Sequence, residues 1–237
     1  MINEIELYGD GIGKVQYIDH MGSDLTIVNS ARVSFGVNKK ELDKRDKRLI
    51  NYLVKHKHTS TFEHNVITFK FTVPLFIRSQ HHRHRTWSYN EISRRYTDKG
   101  LRFYEPKEFR SQHKSNRQAS NLNETLNPTL QTYSPACSQP VPILASSAIV
   151  NHHKSCVKLF DDLLDAGICR EQARGVLPQN LYTEYYGTVN LNNLLKFIDL
   201  RIHEGAQWEI QRVAEACQEM AESLWPNAVS SFKSRNE

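Results

Sequence analysis

Between residues 67 and 73 apolar and polar side chains alternate, Ile67, Phe69, Phe71 and Val73 against Thr68, Lys70 and Thr72. Successive side chains of a strand point to opposite faces, so this period of two predicts a half-buried strand. Pro74 terminates it, having no amide hydrogen to donate. Upstream the period changes: Leu49, Ile50, Leu53 and Val54 recur at helical spacing with charges between them, which predicts an amphipathic helix from about Leu42 to Lys57. Residues 58–64 then form a loop, residues 14–19 read as a short strand, and a short helix from about Leu75 carries Gln80 and Arg83 toward a turn-rich stretch.

In the second half of the chain, Val157, Phe160, Leu163 and Leu164 form a helical face stopped by Gly167. A shorter helix reaches Pro178, and residues 182–189 read as a strand. Two helices follow. Residues 191–203 turn Leu194, Leu195, Ile198 and Ile202 inward, and residues 206–224 turn Ile210, Val213, Ala214, Cys217, Met220, Ala221 and Leu224 inward, with Pro226 as the stop. These stripes, with Tyr182 and Trp208, are expected in the core. Residues 106–151 differ: they are rich in Ser, Asn, Gln, Thr and Pro, include Asn127-Pro128 and Ser134-Pro135, and lack apolar periodicity. A polar loop or insertion is expected at about residues 107–151.

A chain of 237 residues with 39% hydrophobic and 10% aromatic content can bury one large core, so residues 1–237 are read as a single domain. No run approaches the roughly 18 apolar residues of a membrane span, and no basic-then-apolar signal pattern opens the chain; a cytoplasmic protein is expected. Cys137, Cys156, Cys169 and Cys217 are scattered with no Cys-x-x-Cys pair, which suggests neither a disulfide framework nor a zinc ribbon. The net charge of +5 raises nucleic-acid binding, yet the basic residues are dispersed and no helix-turn-helix, RNP-like or zinc-finger pattern organises them.

Chemistry concentrates in residues 83–96, where Arg83-His84-Arg85 is followed by Trp87, Tyr89, Asn90, Glu91, Ser93, Arg94, Arg95 and Tyr96. Every cation in this stretch is arginine, whose planar fork matches two phosphate oxygens at once where lysine offers a point charge. An anionic ligand carrying phosphate is the natural partner, and Glu91 would orient a fork or accept from a sugar or base.

Arg83-His84-Arg85 followed after seven residues by Ser93 resembles the signature of the flavin-dependent thymidylate synthase family, as do Asn90-Glu91, Arg95 and Tyr96. Further blocks match in order. Ala31-Arg32-Val33-Ser34-Phe35 looks like an early family segment, and His58 through Phe62-Glu63-His64 looks like its His-x-x-x-Phe-Glu-His. Arg174, Pro178, Asn180 and Thr183, then Arg201 and Ala206-Gln207-Trp208-Glu209-Ile210-Gln211, resemble its C-terminal blocks. The resemblance implies an α/β (α+β) fold, a central mostly antiparallel sheet flanked by helices in one compact domain, assembled as a homotetramer whose active sites are shared between subunits. It implies reductive methylation of dUMP to dTMP, with 5,10-methylenetetrahydrofolate as one-carbon donor, FAD as redox cofactor and NADPH as reductant. No enzyme cysteine acts as nucleophile in that route, and no cysteine here has such a setting: Cys137 lies in the polar segment and the others on expected helices.

By resemblance, Arg83, Ser93, Arg95 and Arg174 hold the nucleotide phosphate and sugar, with Gln80, His81, His82 and Glu91 nearby and Ile92 and Arg94 contributing backbone contacts. Arg201 is the implied catalytic residue, favouring the N3-ionised pyrimidine. The flavin would contact Ser60, Arg83, His84, Arg85, Glu91, the turn of Asn190, Leu191 and Asn192, and Lys196, with Ser34 and His58 further candidates. Three positions depart from the family pattern. Ser79 stands where an Arg is expected, and Lys196 and Gly205 stand where Asn or His is common, changes that bear on the flavin side more than on the nucleotide.

Eleven histidines raise a second class, a His-dependent metal hydrolase, and the basic charge a third, a nucleic-acid-binding module. Adjacent His81 and His82 point apart on a helix, and the two arginines beside His84 repel a divalent cation, so no metal site is assigned.

Overall fold

The computed structural model describes residues 2–116, 119–132 and 140–236. In chain order the first elements are β1 (Glu4–Glu6), β2 (Lys14–Met21), α1 (Asp24–Arg32), α2 (Lys44–Lys55), β3 (Val66–Pro74), α3 (Leu75–His81) and β4 (Ser88–Glu91). Next come β5 (Phe109–Gln112), β6 (Ser120–Leu126), β7 (Thr129–Thr132), β8 (Val141–Leu144), α4 (Ala145–Asp165) and α5 (Arg170–Ala173). The chain closes with β9 (Tyr182–Asn190), α6 (Leu191–Ile202), α7 (Trp208–Leu224) and α8 (Pro226–Lys233). The expected mixture of helices with an antiparallel sheet is what forms. Residues gather into two units, the first made of the chain through Thr72, Ser79–Glu91 and everything from Glu184 on, the second of Val73–Arg78 and Ile92–Thr183.

The first unit is built on a five-stranded sheet of order β1-β2-β3-β9-β4. The alternation at residues 67–73 does its expected work: Ile67, Phe69, Phe71 and Val73 are all fully buried. Leu191, Leu194, Phe197 and Ile198 of α6 and Ile210, Val213, Ala214 and Cys217 of α7 join the same core. Close approach requires a glycine at one point. A Cβ on Gly187 of β9 would stand 2.9 Å from Phe71 and 3.2 Å from Trp87, tighter than packed carbon atoms tolerate.

Local chemistry sets the helix ends. Asp43 caps α2 by accepting from the amides of Arg45 (2.7 Å) and Asp46 (3.0 Å), while the Asp46 carboxylate accepts from Asp43 N (3.0 Å) in return. Asp46 is fully buried, and Arg32 (2.8 Å) and Lys39 neutralise it, which ties the loop between α1 and α2 to the second helix. Pro226, expected only as a stop for α7, also opens α8: its fixed φ suits the first helical position, where no amide hydrogen is needed. Buried Asp24 receives the freed amides of Asn227 (2.9 Å) and Ala228 (3.1 Å), a long-range cap that spacing cannot reveal. Helix α1 and strands β1 and β4 likewise go beyond what the pattern predicts.

In the second unit, the described part of residues 107–151, expected as a polar loop or insertion, carries regular structure. Strands β5 and β6 pair, β7 and β8 pair, and α4 begins at Ala145, twelve residues before the expected apolar face. The reason is physical. Residues of β6 are mostly exposed, so the strand buries no face and leaves no alternating apolar signature. Asn127 replaces hydrophobic registration here, accepting from Ser146 N (3.0 Å) at the start of α4 and donating to Ser146 Oγ (2.8 Å) and Lys107 O (3.2 Å). Ser134, Pro135 and Cys137 lie outside the described residues.

Candidate active site

Helix α3 delivers Gln80 and His81 to a run of tight turns: Arg83 N donates to Gln80 O (3.3 Å), His84 N to His81 O (2.9 Å) and Trp87 N to His84 O (3.3 Å). Strand β4 then returns along β9, with Tyr89 opposite Gly187. From there the Tyr89 hydroxyl reaches back to His81 O (2.9 Å) and His84 O (3.1 Å), so its O–H, shared between two carbonyls, pins the start and the centre of the arginine turn to β4. Trp87, Phe71, Phe197 and His81 pack beneath it as an aromatic floor, His81 lying 4.5 Å from Trp87 and 4.7 Å from Phe197.

The sequence reading sets His81 beside the nucleotide; in the structure its imidazole is fully buried. Its Nδ1 lies 2.8 Å from the hydroxyl of Tyr185, also buried. Burial holds His81 well below the ordinary imidazole range and Tyr185 well above the ordinary phenol range, so both are neutral. His81 thus belongs to the floor under the turn. His82 is partly buried, its ring 4.0 Å from that of Tyr89.

Above the floor the side chains differ in kind. Arg83 and Arg85 are exposed, and among the described residues their guanidinium groups hold no hydrogen bond or ion pair. Between them His84 is anchored: Arg201, in the last turn of α6, donates from Nε to His84 Nε2 across 3.0 Å. Partial burial and the Arg201 charge lower the His84 pKa to about 4. Burial also lowers that of Arg201. Gln80 donates to the Gln207 side chain, which in turn donates to Glu209 Oε2 (2.9 Å). Glu91 closes β4, half-buried.

The flavin candidates also lie in this unit. Ser60 is exposed on the 3-10 turn Thr59–Phe62, which packs on α6. Asn190 caps α6 by accepting from Asn193 N (3.0 Å), and Leu191 is buried with its amide donated to Asn65 O (2.8 Å). Asn192 donates to Glu63 Oε1 (3.0 Å), and its side chain and the exposed Lys196 line a cleft of about 540 Å³ together with His58. Ser34 is exposed in the turn after α1. Amide, hydroxyl and ammonium donors around an open cleft fit a dinucleotide's polar groups.

The remaining nucleotide candidates are in the second unit. Ile92 is exposed; Ser93 shapes a turn, accepting from Tyr96 N at its carbonyl (3.0 Å) and from Arg95 N at its hydroxyl (3.3 Å). Arg94 donates to Lys99 O (2.8 Å), and the Arg95 guanidinium sits 5.3 Å from the Tyr96 ring centre. Arg174 is exposed at the start of a 3-10 turn, its guanidinium free of any bond among the described residues. The sequence reading names Tyr89 and Gln207 only as members of their blocks, without a role, and does not name Tyr185; the aromatic-polar alternation Trp87-Ser88-Tyr89-Asn90 is the available sign that a strand follows the arginine turn. Among the described residues no group of three or more His, Cys, Asp or Glu could hold a metal ion, and no helix is long and apolar enough to cross a membrane.

Fold and site together are those of an α+β enzyme, and the likeness extends to a nucleotide methylase of known structure. The UMP/dUMP methylase PolB of Streptomyces cacaoi, solved with 5-Br dUMP, superposes with a TM-score of 0.78 at 31% identity, over 97% of both chains. The family described as "Thymidylate synthase complementing protein" matches residues 16–227. The flavin-dependent thymidylate synthase of Thermus thermophilus is 41% identical across 93% of this chain and 76% of its own. That of Thermotoga neapolitana is 38% identical across 93% and 90%. The chain belongs to the flavin-dependent thymidylate synthase family. Membership makes it a methyltransferase with FAD as its cofactor.

Proposed function

We propose that the chain, as a cytoplasmic homotetramer, reductively methylates dUMP to dTMP, using 5,10-methylenetetrahydrofolate as one-carbon donor and NADPH as reductant, with no cysteine nucleophile. The observation that carries this reading is the arginine turn: two unpaired guanidinium forks flank a neutral imidazole tied to Arg201. The forks of Arg83 and Arg85, with Arg174, Ser93 and Arg95, bind the phosphates and sugar. Gln80, Glu91, Ile92, Arg94 and His82 border the nucleotide, and His81 supports the arginine turn from below. Arg201 presents positive charge to the pyrimidine and holds its N3 ionised, which raises electron density at the carbon to be methylated. The flavin, reduced by NADPH, would supply the reducing equivalents that complete the methyl group. Ser60, His84, Asn190, Asn192 and Lys196 orient it, with Leu191 packing beneath the cap.

Cysteine chemistry finds little support. Cys217 is fully buried, which pushes its thiol above the ordinary range and keeps it protonated, and Cys169 lies exposed just before α5. Assembly is supported by apolar surface: Val33 and Phe35, in the turn after α1, are 73% and 81% exposed, and Tyr96 is 79% exposed.

Purified protein is expected to be yellow, with flavin bands at about 380 and 450 nm, and to form dTMP from dUMP when supplied with methylenetetrahydrofolate, FAD and NADPH. A preparation that binds FAD yet forms no dTMP overturns the proposed reaction.

A further inference from the structure

A relay of side-chain hydrogen bonds ties Gln80 to the start of α7. The Gln80 amide nitrogen donates to the carbonyl oxygen of Gln207, and the Gln207 amide donates to Glu209 Oε2 across 2.9 Å. Gln207 precedes the first turn of α7 and Glu209 lies within it, where the unpaired amide ends of the helix favour negative charge. Glu209 is buried, and so is Gln211, whose amide donates to His203 O (3.0 Å) and Ala206 O (2.9 Å) and holds the loop before α7 in place.

A side-chain amide is nearly symmetric in shape, so the hydrogen bonding of its neighbours selects which end points where. A carboxylate has no proton to donate and therefore demands the N–H end of Gln207. That turns the Gln207 oxygen to Gln80 and demands the N–H end of the second amide in turn. Reversing either amide would set oxygen against oxygen. Gln80 is left with its carbonyl oxygen directed away from the relay, where Oε1 is open and holds no hydrogen bond among the described residues. Gln80 also stands at the entry to the arginine turn, its backbone carbonyl accepting from Arg83 N (3.3 Å).

We propose that Glu209, acting through Gln207, is a positioning residue that fixes Gln80 with its oxygen toward the nucleotide, where it accepts a hydrogen bond from the sugar hydroxyl. The inference rests on the proposed reaction for the ligand's identity. Chemistry then selects the hydroxyl. A phosphate paired with guanidinium forks is an acceptor, and a pyrimidine ionised at N3 carries no ring N–H. The 3′-hydroxyl is the one donor that dUMP retains.

The test uses the full-length protein with Glu209→Gln, Gln207→Met and the exchanged pair, Gln207→Glu with Glu209→Gln. Calorimetry compares dUMP with 2′,3′-dideoxyuridine 5′-monophosphate, which lacks only that hydroxyl, and the Kd for FAD is measured alongside. The parent is expected to bind dUMP about fivefold more tightly than the analogue, the effect of one neutral hydrogen bond. Glu209→Gln, whose amide can turn either end to Gln207, and Gln207→Met, which removes the relay, are each expected to bring that ratio close to one with FAD affinity unchanged. The exchanged pair is expected to restore it, because a carboxylate at position 207 accepts from both neighbours and again demands the N–H end of Gln80. A carboxylate that served stability alone would give no such rescue. A ratio that survives in Glu209→Gln and Gln207→Met would overturn the relay, and a parent that binds both nucleotides equally would overturn the hydroxyl contact. Binding of neither nucleotide would overturn the nucleotide reading and the inference with it. A preference set by the relay, in a protein that forms no dTMP, would uphold the relay and overturn only the proposed reaction.

Discussion

Arg201 Nε donates to His84 Nε2 across 3.0 Å, joining the C-terminal turn of α6 to the centre of the arginine turn. Arginine has no acceptor, so the Nε2 lone pair must receive the bond and the imidazole proton resides on Nδ1. His84 is therefore neutral and of one tautomer, with its donor directed away from Arg201. Burial is the larger cause of the low pKa, and the same bond adds to it, because a proton on Nε2 would face a guanidinium.

A pH dependence of stability follows. The folded His84 pKa of about 4 lies below the ordinary imidazole value of 6.5, so the unfolded chain takes up its proton first as pH falls. Stability from this site is complete above the unfolded pKa and declines as pH drops from about 6.5 toward 4. His81, also pushed down, acts in the same direction. Urea midpoints are expected to fall across that window, and His84→Gln is expected to flatten the slope; an identical slope in the variant would refute the assignment.

Arg201→Ala is expected to abolish dTMP formation while leaving the circular dichroism spectrum unchanged. Losing the guanidinium also removes one of the two causes of the low His84 pKa, so the imidazole should titrate higher by NMR. Retained turnover would remove Arg201 from its proposed catalytic role.

Tyr89→Phe keeps the ring packed against His82 and deletes only the hydroxyl that pins the arginine turn. The lost hydrogen bonding is expected to cost about 1 kcal/mol of stability. Looser presentation of Arg83 and Arg85 should raise KM for dUMP several-fold with a smaller change in kcat. Steady-state kinetics beside a denaturant melt separate the two effects; an unchanged KM would show that the turn holds its shape without the clamp.

Cys137→Ala is expected to leave dTMP formation intact, and complete loss would revive a cysteine mechanism. In the parent protein, iodoacetamide at neutral pH is expected to label exposed Cys169 well before Cys217, whose thiol burial keeps protonated. Mass spectrometry of the labelled peptides decides the order.

Elements that bury one face leave a readable period. Strand β3, helix α2 and helices α6 and α7 lie within a few residues of their expected bounds because water exclusion repeats along them every two or 3.6 residues. Strands β5 to β8 leave none: their surroundings are polar and their pairing is backbone hydrogen bonding, which side-chain hydropathy does not record. Helix α8 escapes the pattern because Pro226 serves equally as a stop and a start, and its cap comes from Asp24, about two hundred positions away.

The amino-acid sequence by itself determined the family: the arginine turn and the further blocks in their order mark it, and the comparison with relatives bears it out. Those are statements about composition at fixed spacing, and local spacing survives folding. Tertiary structure decided which of those groups are charged, free or buried. Only packing puts His81 beneath the turn, Arg201 against His84 and Tyr89 across two carbonyls. Arg201 against His84 joins residues more than a hundred positions apart, the Tyr89 contact needs the chain to turn back on itself, and burial shifts protonation through desolvation, quantities that have no expression in a linear pattern.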